Sequence, residues 1–185
     1  MRLTVEDSIL VNIDFQDRLM PHMVGSDDLA DRVASLISGL RALDVPSITT
    51  QQYTRGLGYT DKRISAALGY ENPEELPFIE KTAFSAMDCP EFKEKLDASG
   101  RRNVILTGIE GHVCVLQTTV DLIAAGYNPV LIADCVSSRK ESDYRIGMKR
   151  WEAEGAMISC FESILFELCR YSGTSVFKQI SALVK

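Results

Sequence analysis

The sequence predicts an α/β chain of repeated βαβ units built on a mainly parallel six-stranded sheet. Three observations predict it. Six short apolar runs recur along the chain, and helical patterns separate most of them. The first run is almost wholly apolar rather than alternating, which suits a parallel strand buried on both faces. The length, 185 residues, suits one domain with a sizeable core, so residues 1–185 are read as a single domain.

The elements follow in order. Ser8-Ile9-Leu10-Val11-Asn12-Ile13 is the first strand and ends at Asp14. A loop leads to Asp27 or Asp28, either able to cap a helix carrying Leu29, Val33, Leu36, Ile37, Leu40 and Leu43 on one face. Val45-Pro46 ends that helix, and Ser47-Ile48-Thr49-Thr50 is the second strand. Residues 51–69 are polar and dotted with glycine, and they read as a long loop with one helical turn. Loops of that length are uncommon unless functional. Phe78-Ile79-Glu80 is a short third strand followed by Lys81, and residues 91–96 form a short helix.

Val104-Ile105-Leu106 is the fourth strand, after which Thr107 to Gly111 turn the chain. From His112 the spacing of Val113, Leu116, Val120 and Ile123 is helical, with Gly126 suited to the C-cap. Val130-Leu131-Ile132-Ala133 is the fifth strand, closing at Asp134-Cys135. Residues 139–154 form an amphipathic helix using Ile146, Met148 and Trp151, and residues 156–159 form the sixth strand. Helices cover 163–171 and 174–184.

Composition narrows the function classes. The net charge of -6, with no run of five or six like charges, argues against a nucleic-acid surface or a charged tail. No apolar stretch approaches the length of a membrane span. The opening MRLTVEDSILVNID places acidic residues before its apolar run and offers no small-residue cleavage site, so it does not read as a signal peptide. The five cysteines form no CxxC pair and lie among apolar neighbours, which suits a reducing compartment. A cytoplasmic location follows as the expectation.

In open parallel sheets, ligands bind beyond the carboxyl ends of the strands near a topological switch point. Asp14 ends the first strand, Lys81 the third, and Cys114 follows the fourth, so all three are expected at one edge of the sheet. A carboxylate can take a thiol proton and an ammonium can stabilise the thiolate, which makes a nucleophilic site. Cys114 falls in the first turn of a helix, where free N–H groups and the helix dipole favour a thiolate and can receive an oxyanion. Each residue also has a plain reading: Asp14 as a cap or loop acid, Lys81 as a surface lysine, Cys114 as a small buried hydrophobe.

IDFQ (residues 13–16), EKTAFSAM (80–87) and TGIEGHVCV (107–115) resemble the three signatures of the isochorismatase-like cysteine hydrolases. The resemblance covers nearly the whole chain, including ADCVSSR (133–139), and QYTRGLG (52–58) is similar to the branch without a firmly assigned substrate. It implies a doubly wound, Rossmann-like sheet with helices on both faces. It also implies a triad in which Asp14 is the base, Lys81 the electrostatic partner and Cys114 the nucleophile. The family's non-proline cis peptide would fall at Ile109–Glu110, turning the Glu110 N–H toward the oxyanion that the Cys114 N–H also receives. Family members are oligomers, so a homo-oligomer, dimer or higher, is expected. The nicotinamidases of the family bind a metal through an Asp and histidines after the second strand. TTQQYT carries neither here, and the chain has only His22 and His112. No metal and no cofactor are expected.

The expected activity is hydrolysis of an amide, imide or related C–N bond in a small molecule through a thioester-type intermediate, since a thiol suits acyl transfer. Phe15, Gln52, Tyr53 and Phe84 are candidate pocket residues, with loop packing as their plain reading. His112 is two residues from Cys114 and would not share its helix face. Arg55 and Arg139 suit an anionic substrate or plain solvated surface, and Cys135 reads as core. The competing readings are a non-catalytic interaction protein that keeps the fold and, opposed by the acidic charge, a nuclease.

Overall fold

The structure is a computed structural model and describes residues 2–185. Strand β1 (Ser8–Ile13) leads through a 3₁₀ turn at Met20–His22 to helix α1 (Ser26–Ala42) and strand β2 (Ser47–Gln52). Two short helices, α2 (Thr54–Leu57) and α3 (Lys62–Ala67), precede strand β3 (Ile79–Lys81). Helix α4 (Pro90–Ala98) and strand β4 (Asn103–Gly108) follow, then a π-helical turn at Gly111–Val115 and helix α5 (Leu116–Ala124). The chain continues with strand β5 (Asn128–Val136), helix α6 (Glu141–Glu154), strand β6 (Met157–Ser159) and helices α7 (Phe161–Cys169) and α8 (Ser175–Leu183).

All six strands pair in parallel, in the order β3-β2-β1-β4-β5-β6. The order reverses between β1 and β4, which is the switch point of a doubly wound sheet. Alternation along each strand feeds two separate cores. Leu10, Ile105, Val130 and Ile132 join the cluster that includes residues of α1, α3, α7 and α8. Ile9, Val11, Val104, Leu106 and Leu131 join the cluster with Phe92, Leu122 and Trp151 of α4, α5 and α6. Burial on both faces is why the centres of these strands are continuous apolar runs; nearer their ends, buried Thr107 donates to Asn12 Oδ1 at 3.0 Å. Among the described residues, no helix is long and apolar enough to cross a membrane.

Several boundaries differ from the sequence reading. Gly25, in the left-handed region, is the α1 N-cap, while Asp27 and Asp28 lie in the first turn, where their charges oppose the helix dipole's positive end. Residues 51–69 are not one loop: β2 runs on to Gln52, and α2 and α3 occupy much of the remainder. Asp61 caps α3 by accepting from the Arg63 N–H at 2.8 Å. Ile146 is exposed on α6, whereas Trp151 is buried. It lies two residues from Met148, about 200° around the helix, so the two cannot share a core face.

Candidate active site

Asp14, Lys81 and Cys114 meet above the carboxyl ends of β1, β3 and β4. The registers Ile13↔Thr50, Gln52↔Lys81 and Ile13↔Gly108 set the ends of the four neighbouring strands close to level. Asp14 takes a positive φ of 54°, which ends β1 abruptly, and its N–H donates to the Thr50 carbonyl at 3.2 Å. Its side chain is fully buried.

Lys81 is the last residue of β3 rather than a loop residue beyond it. Its Nζ donates to Asp14 Oδ2 at 2.6 Å and to Gln52 Oε1 at 2.7 Å. The Phe84 and Ala83 carbonyls accept from it at 3.1 and 3.2 Å. The ammonium therefore has oxygen on every side, as a buried charge requires. Thr50 Oγ1 donates to the other Asp14 oxygen, Oδ1, at 2.8 Å.

Cys114 sits in the π-helical turn before α5 and is 8% exposed. Its carbonyl accepts from Thr118 Oγ1 at 2.7 Å, and the same hydroxyl accepts from the Ala86 N–H at 2.9 Å. Thr118 thus ties the segment after Lys81 to the turn that carries the thiol. Gly111 in that turn has no room for a side chain: a Cβ there would lie 2.9 Å from Val136 Cγ1 and 3.1 Å from Trp151 Cη2.

The electrostatics overturn one expectation. The thiol is held neutral rather than eased toward thiolate. Burial, and then the charge of Asp14, push Cys114 up to about 12, against the opposing pull of Lys81. Burial also raises the Asp14 carboxyl above its ordinary range, although Lys81 and Thr50 donate to it. The two acids face one cation, so the site stabilises a single negative charge shared between carboxyl and thiol.

The candidate pocket residues divide. Gln52 accepts from Lys81 and also donates to the Thr82 carbonyl at 2.8 Å, so it orients the lysine. Tyr53 and Phe84 are 54% and 53% exposed, with Tyr53 in the left-handed region at φ 41°. Phe15 is 1% exposed and packs in the α1-side core with Met20 and Met23. Asp14's turn sends this side chain down between sheet and helix. A cavity of about 280 Å³ touches Lys81 through Glu80–Ala83, Asp88, Cys89 and Pro90, but neither Asp14 nor Cys114 lines it.

His112 turns away from the thiol: its Nδ1 is 3.0 Å from Ser138 Oγ, and its Nε2 is 3.9 Å from Asp143. Cys135 is fully buried and Arg55 is exposed. Arg139 pairs with Glu110 at 2.8 Å. Among the described residues, no group of three or more His, Cys, Asp or Glu side chains is arranged to hold a metal. The peptide between Ile109 and Glu110 is cis.

Sequence reasoning missed Thr50, Thr118 and Gln16. Gln16 donates to the carbonyls of Gln52 and Gly58 at 3.0 and 2.7 Å and accepts from the Gln52 N–H at 2.7 Å, fastening residues 52–58 beside the site. The signal available was polar residues at or beside strand ends for Thr50 and Gln16, and a threonine one helical turn after the thiol for Thr118. None of the three carries a charge to draw notice.

A family model for the isochorismatase domain matches residues 8–163. Isochorismatase family protein 1B of Dictyostelium discoideum is 32% identical over 186 residues, spanning 100% of this chain and 89% of that protein. A solved structure described as the MAR1 ribonuclease of Caenorhabditis elegans has a TM-score of 0.89 at 33% identity, covering 100% of this chain and 92% of that one. The Escherichia coli YcaC gene product, described as an octameric hydrolase of unknown specificity, has the same TM-score at 20% identity, over 99% and 89% of the two chains. That last likeness speaks to fold alone. With the family model covering most of its length, this chain belongs to the isochorismatase family.

Proposed function

We propose that this protein is a cysteine-dependent hydrolase of a small-molecule amide, imide or related C–N bond. The observation that carries this is the fully buried Asp14–Lys81 ion pair set against the Cys114 thiol. A buried pair of this kind is expensive to desolvate and is weak as a stabilising device. As a proton-transfer site it has a use.

In the resting site Asp14 is the anion and the thiol is neutral. Transfer of the thiol proton to Asp14 moves the negative charge onto sulfur and leaves the net charge beside Lys81 unchanged. Cys114 then attacks the carbonyl carbon, and the oxygen takes the negative charge. The Glu110 and Cys114 backbone N–H groups receive that oxyanion. Among the described residues, no protein acceptor takes the Glu110 N–H, which leaves it free for this role. The carbonyl re-forms as the C–N bond breaks, and Asp14 returns its proton to the departing nitrogen. Water, deprotonated by Asp14, attacks the thioester and releases the acid, and the sulfur recovers its proton. No metal or organic cofactor enters these steps.

Cys114→Ala is expected to abolish turnover of amides, ureido acids or cyclic imides and to leave the far-UV circular dichroism unchanged. Intact mass of the wild type with a substrate should reveal an acyl adduct that peptide mapping places on Cys114. Full hydrolysis by Cys114→Ala would sink the mechanism. The C. elegans relative gives a reason to weigh RNA cleavage as well. Against it stand the net charge of -6 and a site without histidine. Cleavage of RNA that Cys114→Ala loses would overturn the small-molecule reading.

The remaining parts of the reading are environment and assembly. We place the protein in the cytoplasm, as free cysteines at 89, 114, 135, 160 and 169 suit a reducing compartment. Its partner is a small substrate, neither nucleic acid nor membrane. Tyr53 and Phe84 leave large apolar surface beside the site, and the YcaC neighbour is octameric. We therefore expect a homo-oligomer, and light scattering coupled to size exclusion should give a mass at least twice 20.5 kDa.

A further inference from the structure

The turn that carries Glu110 is held from outside by the segment following β5. Its neighbours Ile109, Val113 and Val115 bond to Ile13 and to the Glu110 carbonyl, and Ser137, Ser138 and Arg139 hold it from the outer side. The Ser137 N–H donates to the Gly108 carbonyl at 3.4 Å, and the Ser137 carbonyl accepts from the Gly111 N–H at 2.8 Å. Ser138 Oγ accepts from the His112 N–H at 3.4 Å. Arg139 then closes on Glu110 itself: its Nε donates to Glu110 Oε2 at 2.8 Å, and its backbone N–H donates to the same oxygen at 3.3 Å. The brace is anchored in turn, since Ser137 Oγ donates to the Val24 carbonyl at 2.8 Å and the Val24 N–H donates to Ser138 O at 3.1 Å.

The Arg139–Glu110 pair is asymmetric. The Glu110 side chain is 14% exposed and the Arg139 side chain 62%. Two like-exposed surface partners would suggest an ordinary solvated ion pair of small effect. Here the acid is largely enclosed, and the residue that carries it also carries the free N–H proposed to receive the oxyanion. The guanidinium Nε–H and the backbone N–H of Arg139 converge on one Glu110 oxygen, which fixes that carboxylate from two directions.

We propose that Arg139 is a positioning residue for oxyanion stabilisation, acting through the Glu110 side chain to hold the Glu110 N–H in line. It touches neither substrate nor thiol. An oxyanion donor is effective only within a few tenths of an ångström of the developing charge, so a loosened Glu110 slows acyl transfer without altering the nucleophile. The inference rests on the hydrolase reading above.

Two reagents separate the roles. Iodoacetamide alkylates sulfur by displacement at a saturated carbon and forms no oxyanion. p-Nitrophenyl acetate acylates the same sulfur through a tetrahedral oxyanion and releases p-nitrophenolate. In Arg139→Met, the p-nitrophenolate release traced to Cys114 is expected to slow by 10-fold or more, on the order of the loss of one weakened oxyanion donor. Iodoacetamide alkylation of Cys114, followed by peptide mapping, is expected to stay within about two-fold of wild type, because no oxyanion donor serves that reaction. Arg139→Lys, which keeps a charge but loses the planar donor set, should fall between. Glu110→Gln with Arg139→Met together should lose no more than the worse single variant, the mark of one shared element.

Equal slowing of both reagents would mean that Arg139 supports the thiol's surroundings generally, and the proposal fails. Unchanged acylation in Arg139→Met also overturns it. If wild-type Cys114 is alkylated but never acylated, the hydrolase reading itself fails and takes this inference with it. That result is told apart from the others by the wild-type control alone.

Discussion

Lys81→Met should unfold far more easily than the wild type at pH 8, and by a smaller margin at pH 5. The substitution leaves the Asp14 carboxylate fully buried with no cation beside it, only the neutral Thr50 hydroxyl and Cys114 thiol as side-chain donors. Removing one partner of a buried ion pair costs about 3–5 kcal/mol. The pH dependence follows from the direction of the Asp14 shift. Burial already raises that carboxyl above its unfolded value, and Lys81 is the chief influence working the other way. Without Lys81 the folded carboxyl rises further. A carboxyl raised on folding contributes stability that is fully present below its unfolded pKa and lost as pH climbs through the folded one. The variant's deficit therefore grows from acid toward pH 8. Urea unfolding at both pH values measures it, and turnover should vanish at either. Equal deficits at pH 5 and pH 8 would mean that the cost comes from packing rather than from the orphaned charge.

The ease with which the sheet could be foreseen has a physical cause. Strands buried on both faces are apolar along most of their length, so β1, β4 and β5 announced themselves as runs such as Ile9-Leu10-Val11 and Val104-Ile105-Leu106. Once those runs are placed in parallel, strand ends become neighbours, and Asp14, Lys81 and Cys114 fall together at one edge. Residues 51–69 were not legible in the same way. The helices there are four and six residues long, too short to display a 3.6-residue period. They are held by Gln16 and Asp61, through contacts that no local pattern encodes.

The state of the thiol was illegible for a different reason. A helix terminus favours thiolate wherever the thiol is wet, and position along the chain carries that information. The depth of burial does not appear in the sequence, and neither does how near the Asp14 charge lies to the thiol. Those two quantities decide the sign here, and they push Cys114 up rather than down. Phe15 shows a similar gap: it follows the strand-end Asp14 in sequence, but the positive φ of Asp14 redirects the chain and delivers the ring to the core.

Asp14→Asn should make Cys114 easier to alkylate while ending turnover. In the wild type, burial and the neighbouring carboxylate keep the thiol protonated well above neutral pH, so the alkylation midpoint lies above that of free cysteine. Asparagine is close to aspartate in shape, and its carbonyl oxygen can still accept from Lys81 or Thr50. It removes the charge that opposes thiolate formation and leaves the Lys81 ammonium without a counter-ion. A thiolate at Cys114 then becomes that counter-ion, so the midpoint should fall by at least about one pH unit, equivalent to roughly 1.4 kcal/mol. The same change removes the proton carrier that the departing nitrogen requires, so hydrolysis is lost even though the nucleophile is more fully ionised. Iodoacetamide rates from pH 6 to pH 11, mapped to Cys114 in both proteins, measure the first half, and amide turnover measures the second. A midpoint that stays put or rises would mean that Asp14 is not the charge holding the thiol neutral. A fall in midpoint accompanied by retained turnover would leave Asp14 as an electrostatic neighbour and require another group to carry the proton.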